Sequence, residues 1–378
     1  MYLGLDFGTS SVKGVLIDAK QKIIATATSG LNVSRPQPAW SEQNPEHWWK
    51  AANLVVNALR KMKPKAIAAV EGIGLSGQQH GATLLDKNGK VLRPCILWND
   101  ARSFEECKEI LRRLPRAMEI SGNIPLAGFT APKLMWVRKH EPKTFDAVDK
   151  VLLPKDYIRY RMTGDFASDM SDSSGTYWLD VEKRQWSAEL LKATDMRRDQ
   201  MPALFEGTDA TGKLTAAVAK AWGMPKHPVV AGGGGDNAAS ACGIGAVHDG
   251  DAFVSIGTSG VMFVSNDRYR PNAAKAVHAF CHAVPDTWHQ MGVILSATAS
   301  LEWLAGVVRT PAPKLTHALG AKLTGPASAL FLPYLSGERT PVGDAEVCGL
   351  MMELGHETVQ SHDPCGAGWC CFCVSRQS

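Results

Sequence analysis

The chemistry that this sequence suggests most directly is centred on Asp236, which follows a run of four glycines. Residues 229–231 predict a buried strand, 232–235 a tight loop and 238–244 a helix. Glycines let a ligand approach the backbone closely, and the start of a helix favours anions. Asp236 could therefore accept the proton of a substrate hydroxyl that attacks a phosphoryl group. The same aspartate could instead simply cap the helix.

A hairpin that occurs twice is the second candidate for phosphate chemistry. Residues 1–17 and 253–264 each predict two apolar strands around a Gly-Thr-Ser turn, whose N–H and hydroxyl groups can bind an anion. In the first copy, Asp6 could hold a hydrated cation and Lys13 could add positive charge, as a magnesium nucleotide requires. The repeat predicts two related lobes, although this tripeptide is also simply a good turn. The turn residues are Gly8, Thr9 and Ser10 in the first copy and Gly257, Thr258 and Ser259 in the second.

Two polar segments after predicted strands could recognise a polyol. In residues 77–81, Gln79 and His80 offer several directional hydrogen bonds between two glycines. In residues 98–100, the indole of Trp98 could form a wall on which a sugar stacks. The alternatives are a structural histidine in the first segment and an ordinary loop in the second.

Other chemistry-bearing residues are not expected in the site. His278, Cys281 and His282 have the spacing of metal ligands, but no second cluster completes a tetrahedral site in the same lobe. A strand or pocket-edge role is therefore favoured over zinc. The acids of residues 154–156 and 168–172 are interpreted as solvated loop residues.

The elements that must position these residues form a mixed α/β pattern. The 378 residues suggest two domains, and a hydrophobic content of 45% allows a sizeable core. Three strands within residues 2–33 precede a helix that begins at Pro45, and a strand over 66–75 follows. A further helix over 103–114 begins with a predicted capping box.

Composition excludes some classes of partner. The formal charge is only +4 and no basic block occurs, so nucleic acid is not expected. No apolar run is long enough to span a bilayer, and no signal peptide is evident. The sequence therefore predicts a soluble, cytoplasmic protein without a membrane partner.

Five segments in order along the chain resemble the FGGY family of carbohydrate kinases. The resemblance runs from Met1 to about Pro341. Residues 77–81 point to D-xylulose as the sugar, because glycerol kinases carry an arginine–glutamate pair at this place. The other segments resemble the first phosphate loop (4–10), a family signature (128–137), the catalytic loop (235–239) and the second phosphate loop (256–260).

The resemblance implies a two-lobed, actin-like (ribonuclease H-like) α/β fold that binds ATP, Mg²⁺ and D-xylulose between its lobes. It implies that Asp236 is the general base and that Asp6 positions Mg²⁺ through water. It also implies that the sugar is held by Gln79, His80 and Asn237, and that Thr9, Ser10, Thr258 and Ser259 line the phosphate path.

The expected lobes are residues 1–245, which bind the sugar, and 246–347, which bind the nucleotide; a homodimer is allowed. The alternatives are a kinase for another sugar such as ribulose, an inactive sugar-binding remnant, and an actin-like ATPase.

Two departures from the family pattern lead to further expectations. Four glycines precede Asp236 where three are expected, and the additional glycine could shift the aspartate. Residues 348–378 are expected to be an aberrant, cysteine-rich tail that resembles out-of-frame translation, which would leave the second lobe incomplete and weaken ATP binding and turnover. The alternative is a zinc-binding tail that uses Cys365, Cys370, Cys371, Cys373 and His362.

Overall fold

A computed structural model describes residues 1–318, 329–344 and 346–354. The chain forms two compact units. The first comprises residues 1–249, 265–270 and 279–289, and the second comprises 250–264, 271–278 and the described residues from 290 onward. The candidate zinc ligands of the tail, from His362 to Cys373, lie outside the described residues, as does most of the predicted tail.

Strands and helices are interspersed along the described part of the chain. The strands are β1 (Tyr2–Phe7), β2 (Ser11–Ile17), β3 (Ile23–Gly30), β4 (Glu42–Gln43), β5 (Gly72–Gly77), β6 (Thr83–Leu85), β7 (Cys95–Ile96), β8 (Lys150–Leu152), β9 (Ala167–Asp169), β10 (Leu179–Asp180), β11 (Gln185–Trp186), β12 (Ala203–Phe205), β13 (Ala210–Lys213), β14 (Val229–Ala231), β15 (Gly234–Gly235), β16 (Ala252–Ile256), β17 (Gly260–Asn266), β18 (His278–Cys281), β19 (Trp288–Ile294), β20 (Leu330–Leu332) and β21 (Leu350–Met352). The helices are α1 (Pro45–Met62), α2 (Pro64–Ala68), α3 (Phe104–Arg113), α4 (Ala117–Ser121), α5 (Thr130–His140), α6 (Pro142–Asp146), α7 (Pro154–Thr163), α8 (Met170–Ser174), α9 (Ala188–Ala193), α10 (Ala216–Trp222), α11 (Asp236–Ile244), α12 (Thr298–Val307) and α13 (Ala312–Ala318).

The first unit is built on a seven-stranded mixed sheet with the order β13-β14-β5-β1-β2-β3, in which β15 also pairs with β5. Strand β1 is antiparallel to β2 and parallel to β5. Alternate residues of β1 (Leu3, Leu5 and Phe7) are buried, as a period of two requires when one face of a sheet packs on a core. The predicted mixed sheet, rather than a doubly wound parallel one, is confirmed.

Helix α1 supplies the layer that packs against this sheet. Asn44 caps it, with its side chain accepting a hydrogen bond from the backbone N–H of Glu46, and Pro45 occupies the first helical position. Its buried residues recur at helical spacing and include Trp48, Val55 and Leu59. The sequence prediction of a helix that begins at Pro45 is confirmed.

The glycine run before Asp236 contains a bulge. Val230 pairs with Ile73 of β5, whereas Gly234 pairs with Ser76 of the same strand. Between these two pairs, residues 231–233 stand opposite residues 74 and 75 of β5. The glycine run therefore contains one residue more than the strand it pairs with. Gly233 makes this possible: its φ is +76°, and a Cβ there would lie 2.2 Å from the carbonyl oxygen of Leu75.

The second unit contains the second predicted hairpin. Strands β16 and β17 pair antiparallel from Ala252 opposite Val264 to Ile256 opposite Gly260. They belong to a four-stranded sheet with the order β16-β17-β19-β18. Both predicted Gly-Thr-Ser hairpins are therefore confirmed as hairpins.

Two local predictions were wrong. Residues 66–68 of the strand expected over 66–75 are the end of helix α2, and the strand itself is Gly72–Gly77. Ser103 precedes α3 but makes no side-chain capping bond. Its hydroxyl donates instead to the carbonyl oxygen of Ala127 at 3.1 Å, because a partner distant in sequence competes for it.

No helix in the described part of the chain combines the length and the apolar character that crossing a bilayer demands.

Candidate active site

Asp236 is the first residue of α11, and Gly235 rather than Asp236 occupies the N-cap position. One carboxylate oxygen accepts hydrogen bonds from the backbone N–H of Asn237 at 2.8 Å and from its side-chain amide at 3.0 Å. Desolvation by the surrounding protein, reinforced by the negative charge of Asp6, raises the pKa of Asp236 to about 6, against the opposing effect of the Asn237 hydrogen bonds. A carboxyl group with a pKa in this range has the property that a general base needs near neutral pH.

Asp6 lies near the end of β1, directly opposite Lys13 of β2. Its carboxylate accepts a hydrogen bond from the hydroxyl of Ser76 at 3.1 Å. Asp6, Lys13 and Ser76 line a cavity of about 610 Å³ within the first unit, together with Gly234 and Cys242. The cavity therefore joins the first hairpin to the glycine loop that precedes Asp236.

The turn of Gly8, Thr9 and Ser10 connects β1 to β2 and is held by side chains from elsewhere. The hydroxyl of Thr9 donates to Oε1 of Gln78 at 2.9 Å and accepts from Nε1 of Trp98 at 3.0 Å. The carbonyl oxygen of Thr9 accepts from Nε2 of Gln43 at 2.7 Å. Since the Thr9 hydroxyl proton is used within the protein, an anion at this turn would be met chiefly by backbone N–H groups.

His80 follows β5 in a left-handed conformation, with a φ of 67°. Its carbonyl oxygen accepts hydrogen bonds from the hydroxyl of Thr130 at 3.1 Å and from Nζ of Lys133 at 2.8 Å. Its ring Nδ1 lies 2.7 Å from the carbonyl oxygen of Gly175. A carbonyl only accepts, so Nδ1 carries a proton. A strained backbone fixed by so many partners is typical of a functional position.

The other predicted sugar-binding residues lie in the same unit. Gln79 is buried and donates from its side-chain amide to the carbonyl oxygen of Ser171 at 3.3 Å. Asn237 uses its amide nitrogen on Asp236, as described above. Trp98 is 37% exposed and is oriented by its bond to Thr9.

The second turn, Gly257 to Ser259, is bound to the start of helix α12. The carbonyl oxygen of Gly257 accepts from the backbone N–H of Thr298 at 2.9 Å and from its hydroxyl at 2.8 Å. The carbonyl oxygen of Thr258 accepts from the backbone N–H of Ala297 at 2.8 Å. The carbonyl groups of this turn are therefore used by the protein.

The prediction that the acids of residues 154–156 and 168–172 are solvated is wrong, because all three are buried. Asp156, Asp169 and Asp172 are buried around Lys155, whose Nζ lies 2.6, 2.7 and 3.3 Å from one oxygen of each. The three carboxylates are close enough to hold a metal ion, but the Lys155 ammonium is already bonded to all three. Arg159 adds a second buried cation at 2.7 Å from Asp156.

The metal-like spacing of His278, Cys281 and His282 brings no metal site together. Among the described residues, the only group of metal-ligating side chains is the aspartate cluster around Lys155. Burial raises the pKa of the Cys281 thiol to about 11, so the thiolate is disfavoured.

Sequence reasoning missed three residues that hold the site together. Gln43 fixes the Thr9 turn, Lys133 fixes His80, and Ser171 contacts both Gln79 and the backbone N–H of Gly235. Lys133 gave a signal, since it is a single lysine in the otherwise uncharged run 128–137. Burial lowers its pKa to about 7. The other two gave none, because their partners are far away in sequence.

Comparison with known proteins places this arrangement in a family. The N-terminal domain of the FGGY family of carbohydrate kinases matches residues 1–243, and the C-terminal domain of that family matches residues 252–373. The chain belongs to the FGGY family of carbohydrate kinases. Membership makes it a sugar kinase, which implies the use of ATP.

Individual FGGY kinases resemble the chain over most of its length. The xylulose kinase of Escherichia coli strain K12 is 51% identical over 360 residues, which are 94% of this chain and 73% of that protein. The xylulose kinase of Bacillus subtilis strain 168 is 36% identical over 93% of this chain and 71% of its own length. A crystal structure described as a "xyloylose kinase" from Brucella ovis has a TM-score of 0.96 and 52% identity, covering 100% of this chain and 78% of that one. The two-domain α/β fold of an FGGY sugar kinase, expected from the sequence, is confirmed.

Proposed function

We propose that this FGGY kinase transfers the terminal phosphoryl group of ATP to a terminal hydroxyl of D-xylulose, with Asp236 as the general base. We assign the base from the environment of Asp236. It is a partly buried carboxylate at a helix start, with a raised pKa and with Asp6 as a charged neighbour. The similarity to xylulose kinases supports the choice of sugar.

The sugar would be oriented by polar and aromatic side chains of the first unit. The imidazole of His80, held in place through its Nδ1 contact with the carbonyl oxygen of Gly175, is a proposed ligand of a sugar hydroxyl. Asn237 and Gln79 add amide groups, and the partly exposed indole of Trp98 offers a face for the carbon skeleton. These groups determine which hydroxyl reaches Asp236.

The phosphates of ATP would meet the first hairpin. Its turn offers backbone N–H groups at Gly8, Thr9 and Ser10, and the exposed Lys13 supplies positive charge. Gly257, Thr258 and Ser259 of the second hairpin stay predicted nucleotide-binding residues.

The donor set around Asp6 fits magnesium. A partly exposed carboxylate with a neighbouring hydroxyl, that of Ser76, offers the hard oxygen ligands that Mg²⁺ prefers, directly or through water. When bound, the ion supplies charge neutralisation of the phosphate oxygens. The homodimer allowed by the sequence analysis stays a prediction.

The reaction needs a base only at the attacking hydroxyl. As that oxygen bonds to the terminal phosphorus of ATP, its proton passes to the Asp236 carboxylate, and ADP leaves. The products are D-xylulose 5-phosphate, ADP and the proton later released from Asp236. Positioning and charge stabilisation account for the rest of the rate in phosphoryl transfer.

ADP release with Mg-ATP and a panel of D-xylulose, D-ribulose, glycerol and no sugar tests the proposal. We expect turnover that depends on D-xylulose and falls by about a hundredfold or more in Asp236→Asn. Asp146→Asn, an exposed aspartate of α6, is the matched control and should keep full activity.

The outcomes separate the alternatives. A clear preference for ribulose or another polyol would reject D-xylulose as the substrate but would still support a sugar kinase. ATP hydrolysis that ignores every sugar would favour an actin-like ATPase. Folded protein that binds D-xylulose without turnover would favour a sugar-binding remnant.

A further inference from the structure

The short helix α8 connects the loop that carries Asp236 with His80. Near its start, the hydroxyl oxygen of Ser171 accepts a hydrogen bond from the backbone N–H of Gly235 at 3.1 Å. Directly after its end, the carbonyl oxygen of Gly175 accepts from Nδ1 of His80 at 2.7 Å. The proposed base and the proposed sugar ligand are therefore linked to the two ends of one five-residue helix.

The orientation of the Ser171 hydroxyl is fixed by Asp169. One oxygen of Asp169 accepts from the backbone N–H of Ser171 at 2.9 Å and from its hydroxyl at 2.5 Å. Because the hydroxyl proton goes to Asp169, the hydroxyl oxygen is left as an acceptor toward Gly235. The other oxygen of Asp169 lies 2.7 Å from Nζ of Lys155, so a directed chain of polar contacts runs from Lys155 to Gly235.

Packing around Gly235 leaves little room for movement. A Cβ at this residue would lie 2.5 Å from Nε2 of Gln79, and the same Nε2 donates to the carbonyl oxygen of Ser171. Gly235 is the residue immediately before Asp236. A shift of the peptide at Gly235 would therefore move the carboxylate directly.

The anchor of this chain is a buried ion cluster. It contains two cations, Lys155 and Arg159, and three carboxylates, Asp156, Asp169 and Asp172. Burial raises the pKa of Asp172 well above its usual range, in spite of the opposing charge of Lys155. Removing one partner of such a cluster is costly, which makes Lys155 and Asp169 a rigid support.

We infer that Ser171 is a positioning residue for the phosphoryl transfer: oriented by Asp169 and Lys155, it holds the peptide at Gly235 so that Asp236 stands at a fixed place relative to His80. This inference rests on the proposed function of Asp236.

Ser171→Ala tests the inference, with Ser173→Ala as the matched control. Ser173 is a buried serine of the same helix, and its hydroxyl donates to Ser168 at 2.8 Å, away from Gly235. In Ser171→Ala we expect kcat to fall about tenfold to a hundredfold, since a displacement of about 1 Å can cost this much. The KM for D-xylulose should stay within about twofold, because His80 keeps its own partners. Ser173→Ala should keep the wild-type kcat.

An unchanged kcat in Ser171→Ala would overturn the inference. So would an equal loss of kcat in both variants, or a rise in KM alone, because each of these indicates general loosening of the helix.

Hydrogen–deuterium exchange of peptides from residues 229–240 tests the same link without any turnover. We expect faster exchange in Ser171→Ala and unchanged exchange in Ser173→Ala. Equal exchange in the two variants would reject the link to Gly235 even in an active enzyme. If the wild-type protein phosphorylates no sugar, the proposed function fails. If exchange is nevertheless faster only in Ser171→Ala, the structural link between Ser171 and Gly235 still holds.

Discussion

Nζ of Lys133 donates a hydrogen bond to the carbonyl oxygen of His80 at 2.8 Å and a second one to that of Gly128 at 2.7 Å. Lys133 is buried, and no described carboxylate forms an ion pair with it within 4.0 Å. Its contacts are with backbone carbonyls, so it serves to hold two loop segments in place. One of these is the left-handed residue that we expect to contact the sugar.

Replacing Lys133 with methionine should therefore weaken sugar binding. The methionine fills a similar volume but removes the hydrogen bond from Nζ to the carbonyl oxygen of His80, which keeps the one from Thr130. We expect the affinity for D-xylulose, measured by calorimetry, to fall about tenfold, as for the loss of a hydrogen bond to a charged or buried group. Lys139→Met, at an exposed position of the same helix, should bind normally; equal weakening in both variants would contradict this role.

The raised pKa of Asp236 predicts the pH dependence of the reaction. A general base works only when deprotonated, so kcat/KM for D-xylulose should fall as the pH drops through about 6. The fall in kcat/KM on the acidic side of the pH profile should fit the titration of a single group. The residual activity of Asp236→Asn should show no such fall. A profile that stays flat down to pH 5 would show that Asp236 does not act as the base.

The bulge in the glycine run predicts a position-specific effect of adding a methyl group. Gly233→Ala places a Cβ 2.2 Å from the backbone oxygen of Leu75 at a residue with positive φ, so the loop before Asp236 must shift. We expect lower kcat and a loss of about 1–3 kcal/mol in the free energy of unfolding by urea. Gly243→Ala, in helix α11 with no atom within 4 Å of its added Cβ, should keep full activity and stability. Similar losses in both would indicate that the bulge is not needed.

Cys242 offers a test of where the nucleotide binds. It is exposed and lines the cavity that also contains Asp6 and Lys13, whereas Cys95 and Cys281 are buried with thiol pKa values raised to about 11. Of the five cysteines in the described residues, we expect a maleimide to label Cys242 and the exposed Cys348 first, as assigned by peptide mass spectrometry. Mg-ATP should slow labelling of Cys242 and leave Cys348 as an internal reference. No protection of Cys242 would argue against nucleotide phosphates in this cavity.

Much of the local structure follows from short-range patterns in the sequence. The first hairpin has alternating apolar residues around a Gly-Thr-Ser turn, and α1 has Pro45 after a capping asparagine and apolar residues at helical spacing. These signals depend on neighbours within a few residues. The resemblance to the family added the prediction that Asp236 lies in the catalytic loop.

Burial of charge was not visible in the sequence. Asp156, Asp169 and Asp172 look like solvated loop acids because aspartate is usually exposed. In the fold, Lys155 reaches all three, and their burial follows from that shared partner. A pairing that joins α7, β9 and α8 is a property of packing, which local patterns do not contain.

The sequence by itself determined the two hairpins, the helix α1 and the aspartate after the glycine run, because each is encoded by residues close together along the chain. Only the tertiary structure decided how the additional glycine is accommodated and what holds the site in place. The bulge exists because both β14 and β15 pair with β5, and Ser171 and Lys133 gain their roles from partners 64 and 53 residues away. Such contacts form only when the whole domain packs, since their energy depends on burial and not on sequence neighbours.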